Sequence, residues 1–188
     1  DTPFGVPPFD KIRAEHFMPA FERGMSLHDA EIDAITSNND EPTFENTILA
    51  YDNAGQMLAQ TELIFGMLCA AETNERMQAL QEQVMPLLSA HRDKIRLDEK
   101  LFARVKDVYD RRASLGLDAE QSRLLRKTYD AFVRSGALLD AGQKARLKEI
   151  NGELSLTAVK FGNNILAENN NFALELTADD LEGLPSGV

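Results

Sequence analysis

His16, His28, His91 and Cys69 are the side chains of this 188-residue sequence best suited to metal binding, proton transfer or nucleophilic attack. A helical zinc hydrolase site needs two histidines four residues apart with a glutamate beside them. That spacing aims both imidazoles at one ion and leaves a base next to the bound water. The three histidines lie on separate segments, none within H-E-x-x-H and none at ligand spacing from Cys69. His16 and His91 read as surface or capping residues, and His28 as a core histidine on an inner helix face. Cys69 has no local basic cluster to lower its thiol pKa, so it reads as a small core hydrophobe. Neither a glycine-rich phosphate loop nor a nucleophile elbow occurs. Carboxylate pairs such as Glu31 with Asp33, or Asp179 with Asp180, reflect an acidic chain and read as solvated faces. Glu62 alone interrupts an apolar stripe. It lies either at the stripe's edge or in a buried ion pair with a basic residue of the 92–160 segment. The residues therefore assign no catalytic, cofactor-binding or metal-ligating position.

The elements that carry these side chains read as helices. Pro3-Phe4-Gly5-Val6-Pro7-Pro8-Phe9 resists helix formation, because proline lacks an N–H and pushes its predecessor extended. Residues 1–13 are thus expected as an extended, proline-rich lead, pinned across a surface by its two phenylalanines. From about Ala14, Phe17, Phe21, Met25, Ile32 and Ile35 recur every three or four residues as one helix face, with Pro19 in the first turn. Thr43 is placed as the N-cap of a second helix whose face runs Phe44, Ile48, Tyr51, Gly55, Leu58, Phe65 and Cys69. Gly55 on that face implies the close approach of another helix.

A third helix carries Met77, Leu80, Val84, Leu87 and Leu88, and Pro86 predicts a kink or an early end in it. Asp98 caps a fourth helix bearing Leu101, Phe102, Val105, Val108 and Tyr109. Asp118 with Gln121, and Asp140 with Gln143, have the capping-box form. The helix between them carries Leu124, Leu125, Tyr129, Phe132 and Val133, and Gly136 is placed as its left-handed terminator. Leu147, Ile150, Leu154, Ala158, Phe161 and Ile165 form a heptad-like stripe over about 29 residues, roughly 43 Å of helix, which Asn169-Asn170-Asn171 stops. Phe172–Leu176 predicts a short strand with no partner in the chain, and Thr177–Asp180 the cap of one more helical turn. The expected fold is all-α: an antiparallel, bundle-like arrangement of about six helices with a long last helix and a short extended tail. Residues 1–171 form its one helical domain, and 172–188 begin a connection onward.

Composition narrows the class. Apolar residues make up 43% and charged residues 27%, as in a soluble globular domain. No apolar run approaches a membrane span and no secretory leader opens the chain, so a membrane-spanning or freshly secreted protein is not expected. One cysteine fits a reducing compartment, and a cytoplasmic location is expected. A start at Asp1 rather than Met implies trimming, or excision from something longer. The net charge of −11 repels a polyanion, so nucleic acid is a poor partner. The charge is uneven: residues 1–91 carry 4 basic and 15 acidic groups, residues 92–160 carry 16 and 11, and residues 161–188 carry none and 5. The basic middle either drifts in sign across solvated faces or faces an acidic partner or a substrate carboxylate.

Several stretches resemble the amino-terminal half of the thimet oligopeptidase family of zinc metallopeptidases. They are Pro8-Phe9-Asp10 through Phe21, Pro42-Thr43-Phe44-Glu45-Asn46-Thr47-Ile48, Leu101-Phe102-Ala103-Arg104-Val105, Leu115–Asp118, Phe132–Ala137 and Phe161–Leu166. They occur in order over nearly the whole chain, and Leu101–Val105 with Arg111–Asp118 looks most like the bacterial peptidyl-dipeptidase branch. The resemblance implies a much longer enzyme, in which two helical halves flank a channel and H-E-x-x-H in the later half holds zinc. It transfers no catalytic or metal residue here. It implies zinc in the full-length enzyme and none on this fragment, a missing C-terminal catalytic domain as partner, and short peptides as substrates. This chain would be an inactive wall of the channel. An apolar patch is then expected on the long helix or near the opening Pro-Phe segment, open to self-association. The residues alone leave a second reading, a free-standing helical binding or regulatory module.

Overall fold

Local hydrogen bonding sets the helix boundaries. In the computed structural model, which describes residues 3–177, 180 and 183, the α-helices are α1 (Phe17–Thr36), a single turn α2 (Ala50–Asn53), α3 (Gln56–Ala71), α4 (Glu75–Arg96), α5 (Glu99–Asp110), α6 (Ala119–Arg134) and α7 (Ala141–Asn171). A π-helical turn, Phe44–Leu49, leads into α2. The predicted caps form. Asp118 and Gln121 exchange bonds of 2.9 and 3.1 Å, Asp140 and Gln143 exchange bonds of 2.8 and 3.2 Å, and Asp98 accepts the Leu101 N–H at 2.7 Å. Each such cap contributes about 1 kcal/mol. Asn74 caps α4 by accepting the Met77 N–H at 3.0 Å. Gly136 ends α6 at φ +94°. The Ala137 N–H bonds the Phe132 carbonyl and the Gly136 N–H that of Val133, which satisfies two carbonyls the helix end would otherwise orphan.

Side-chain contacts give the packing directions. Phe21 meets Phe65 edge-on at 5.4 Å, and Gly55 lies against His28, so α3 runs antiparallel to α1. Phe102 stacks on Phe132 and Tyr109 on Tyr129, which sets α5 antiparallel to α6. Lys144 reaches Glu99 and Asn151 reaches Asp93, so α7 runs back along α4. Two apolar clusters result. One gathers Phe17, Phe21, Leu58, Phe65, Met77, Val84 and Leu88; the other gathers Ile32, Ile35, Phe44, Ile48, Ile95, Leu101, Phe102, Val105, Val108, Leu125, Phe132 and Ala137. Side chains such as Phe21, Leu101 and Phe132, buried essentially completely, contribute about 2–3 kcal/mol each.

Four expectations change. The second helix breaks at Ala54-Gly55, because Gly55 takes a left-handed φ of +77° that no α-helix continues. The third does not end early, but runs through Pro86 to Arg96. The carbonyl that loses its partner belongs to Glu82, an exposed residue with access to solvent. The lead is not uniformly extended: Pro3–Gly5 and Ala14–His16 are 3₁₀ turns. Ile12 packs on the first cluster while Phe4 is fully exposed, so only part of the lead is pinned. Residues 172–177 form no strand, since no second strand lies among the described residues to pair with them. Phe172, Leu174 and Leu176 are exposed. The expected turn after Thr177 includes Ala178 and Asp179, outside the described residues, as does the end of the chain from 184.

The long helix is 31 residues and keeps its apolar row, of which Leu147, Leu154 and Ala158 border α4 while Ile150, Phe161 and Ile165 lie away from it. Ile150, Leu154, Phe161 and Ile165 are 43–67% exposed. The face turned toward α4 also holds Asn151, Gly152, Ser155 and Val159. Small residues and the Asn151–Asp93 bond at 2.8 Å let α7 approach α4 closely without a large apolar seam.

Candidate functional site

Two places gather polar chemistry, and both lie on α4. The first is a node between the apolar clusters. On α1, His28 falls between Phe21 and Ile32; on α4, His91 falls between Leu88 and Ile95. His28 Nδ1 and His91 Nε2 are 3.2 Å apart, so one ring donates and the other accepts. Asp29 Oδ1 lies 3.7 Å from His91 Nδ1 and 2.8 Å from the Lys94 ammonium. That carboxylate favours the proton on His91 Nδ1, which leaves Nε2 to accept from His28. Burial pushes both imidazole pKa values below the ordinary 6.5. Glu31, Asp29 and Glu62 oppose the shift at His28, Asp29 and Glu62 oppose it at His91, and His28 and Lys94 reinforce it there. The Gly55 N–H donates to Glu31 at 2.7 Å, and Glu62 pairs with Arg92.

The histidines, Cys69 and Glu62 singled out in the sequence lie among the described residues, and Asp179 lies outside them. His16 accepts the Arg13 N–H at 3.2 Å, a capping role as expected. His28 is a partly buried histidine satisfied by a partner. His91 is not on the surface: it is 7% exposed, because α4 continues past Pro86 and carries it inward one turn beyond Leu88. Its i+3 spacing from Leu88 and i−4 spacing from Ile95 were the signal for this. Cys69 is partly buried against the first cluster, and burial raises its thiol pKa. Glu62 lies at the edge of its stripe: it pairs with Arg92, the first basic residue of the 92–160 segment, but both side chains are partly exposed, so the buried ion pair does not form. Among the described residues, no three His, Cys, Asp or Glu side chains stand close enough to hold a metal ion. The two histidines that meet bond each other.

The stretch Pro42–Ile48 proves to be a structural hub. Asn46 Oδ1 accepts from the Thr43 N–H at 2.8 Å, the Thr47 hydroxyl at 2.8 Å and Arg104 at 3.2 Å, while Nδ2 donates to the Glu41 carbonyl at 3.0 Å. Arg104 also donates to the Asn38 and Asp40 carbonyls, and Arg111 holds Glu41 and Pro42. Phe44 and Ile48 enter the second core.

The second place is a groove of about 850 Å³ between α4 and α7, bounded at one end by the C-terminus of α6. Its apolar wall includes Met85, Leu147, Leu154, Ala158 and Val159, and Ser89, Asn151 and Ser155 face it. Arg92, Arg96 and Arg134 line it as well. No helix among the described residues is long and apolar enough to cross a membrane.

No family model matches the chain. It is 41% identical over 167 residues to the dipeptidyl carboxypeptidase of Escherichia coli (strain K12), an alignment covering 89% of this chain and 24% of that protein. The dipeptidyl carboxypeptidase of Salmonella typhimurium is 39% identical over 165 residues, covering 88% of this chain and 24% of that protein. Oligopeptidase A of E. coli is 24% identical over the whole chain, which covers 28% of that protein. The chain spans about a quarter of the length of the curated relatives it matches. The higher identity to the dipeptidyl carboxypeptidases agrees with the branch expected from Leu101–Val105 and Arg111–Asp118.

Proposed function

As an amino-terminal part of a thimet oligopeptidase family protein, this chain is, we propose, the non-catalytic helical portion of a zinc-dependent peptidyl-dipeptidase that cleaves short peptides. The observation that carries the reading is 41% identity across nearly the whole chain to a dipeptidyl carboxypeptidase about four times its alignment length. The zinc and its H-E-x-x-H ligands belong, in this reading, to later sequence. There the metal would activate water and polarise the scissile carbonyl. This chain's contribution is steric, a rigid wall that limits the channel to short, unfolded peptides. Two features support a wall that is covered in the intact protein. Ile150, Phe161 and Ile165 of the α7 row are exposed, and α3 carries only one charged residue, Glu62, with Leu63 65% and Met67 49% exposed. The catalytic half is the partner assigned to these faces, and the parent enzyme is placed in the cytoplasm.

The coding sequence beyond Val188 tests this. A continuation of several hundred codons containing H-E-x-x-H is expected. A stop codon shortly after Val188 would overturn the reading in favour of a free-standing helical module.

A further inference from the structure

A third concavity lies away from α4, where α5 ends and the chain turns back into α6. The 3₁₀ turn Arg112–Ser114 and the left-handed Gly116 make that return. The cavity, of about 370 Å³, is lined by Tyr109, Arg112, Ala119, Ser122, Arg123 and Arg126. The last four follow the i, i+3, i+4, i+7 spacing of one face of α6, and buried Leu125 and Thr128 root that helix in the core. We propose that this cavity binds the phosphoryl dianion of inorganic phosphate or of a small phosphate monoester. The inference does not depend on the proposed function.

The chain has 31 acidic residues against 20 basic ones, yet among the described residues Arg112, Arg123 and Arg126 form no ion pair. Arginines elsewhere are committed. Arg76, Arg92, Arg111 and Arg146 pair with carboxylates, and Arg13, Arg96 and Arg104 bond carbonyl or side-chain oxygens. Nearby acids are committed too: Asp107 to Arg111, Asp110 to Lys106 and Asp118 to the cap of α6. Glu120 does not line the cavity. Arg112 is fixed in advance. It donates to the Tyr109 carbonyl at 2.8 Å, and its guanidinium carbon lies 4.2 Å from the centre of the Tyr109 ring, which stacks on Tyr129 at 3.8 Å. A ligand there orders few further side chains. Arg123 and Arg126 share a helix face one turn apart, so a bound anion relieves their mutual repulsion. A carboxylate brings two oxygens and one charge. A phosphoryl group brings three oxygens and nearly two charges, which matches three guanidiniums and the Ser122 hydroxyl. The short side chain of Ala119 leaves room for an ester's organic part.

The test titrates inorganic phosphate, methyl phosphate and acetate into the 188-residue chain at low, matched ionic strength, read by calorimetry and by phosphorus NMR for the first two. Saturable binding of both phosphates at millimolar concentration or below is expected, and the tighter of the two identifies the source of the group. Binding should exceed that of acetate about tenfold and strengthen between about pH 5 and pH 8, as the second phosphate proton leaves. Arg123→Gln and Arg126→Gln should each weaken phosphate about fivefold with unchanged melting temperatures, and the double variant should lose saturable binding. Arg23→Gln, an exposed cation on α1 outside the cavity, is the unaffected control. No saturation at tens of millimolar phosphate would overturn the proposal, as would equal affinity for acetate. So would an Arg23→Gln effect as large as that of Arg123→Gln, which would mark attraction to overall charge rather than to a site.

Discussion

Replacing Gly55 by alanine separates two consequences of one residue. Gly55 has φ +77°, and an added Cβ would lie 2.8 Å from both Nδ1 and Cε1 of His28. The left-handed conformation alone costs an L-residue about 1–2 kcal/mol. The contact forces the His28 ring aside and breaks its bond to His91, adding about 1–2 kcal/mol. Gly55→Ala should therefore destabilise by about 2–4 kcal/mol, or roughly 4–16 °C in Tm for a chain of this size. Gly116 provides the control, with φ +63° and nothing within 4 Å of an added Cβ, so Gly116→Ala should lose only the conformational part. Urea unfolding followed by far-UV circular dichroism gives both values. In a His28→Ala background the loss from Gly55→Ala should shrink to that of Gly116→Ala. Equal losses for the two glycines in the wild-type background, or no coupling between Gly55 and His28, would refute the reasoning.

Acid should act on the same node. The folded-state pKa values of His28 and His91 are depressed, so stability stays level above about 6.5 and falls as the pH drops below it, where the unfolded chain takes up protons the folded chain excludes. Urea midpoints measured across that range should show a smaller acid slope in His91→Asn; an unchanged slope would contradict it. Asn46→Ala removes the acceptor for the Thr43 N–H, the Thr47 hydroxyl and Arg104, leaves the Thr43 cap itself in place, and should destabilise by about 2–4 kcal/mol. A loss below about 0.5 kcal/mol in urea unfolding would show that water replaces these bonds. Phe161→Glu on the outward row of α7 should change the chain's stability by less than about 0.5 kcal/mol, and thermal melting that shows a loss above 2 kcal/mol would mean the row is packed.

What the sequence made legible divides along physical lines. Caps depend on residues within four positions, so Asp98, Asp118 and Asp140 could be read directly, and Gly136 with them. Helical periodicity located the buried faces of α1, α5 and α6. It did not orient α7, because an apolar row records only that a face avoids water in the complete protein, not which partner covers it. Gly55 was read as a close approach, and it is also a helix break; an apolar spacing that continues across a glycine does not reveal the sign of φ. His91 was missed because Pro86 was given too much weight, although the bond it forfeits lies on a wetted side of α4. The node at His28 joins residues 63 positions apart, and the groove between α4 and α7 likewise joins distant segments, beyond the reach of any local pattern.

The most direct test of the account compares hydrolysis of a blocked short peptide, and bound zinc by atomic absorption, in the 188-residue chain and in the full product of its reading frame. The account predicts peptidase activity with about one zinc per molecule in the full product, and neither property in this chain. Peptide cleavage by the chain alone, or a stoichiometric zinc that His28 and His91 retain, would contradict it.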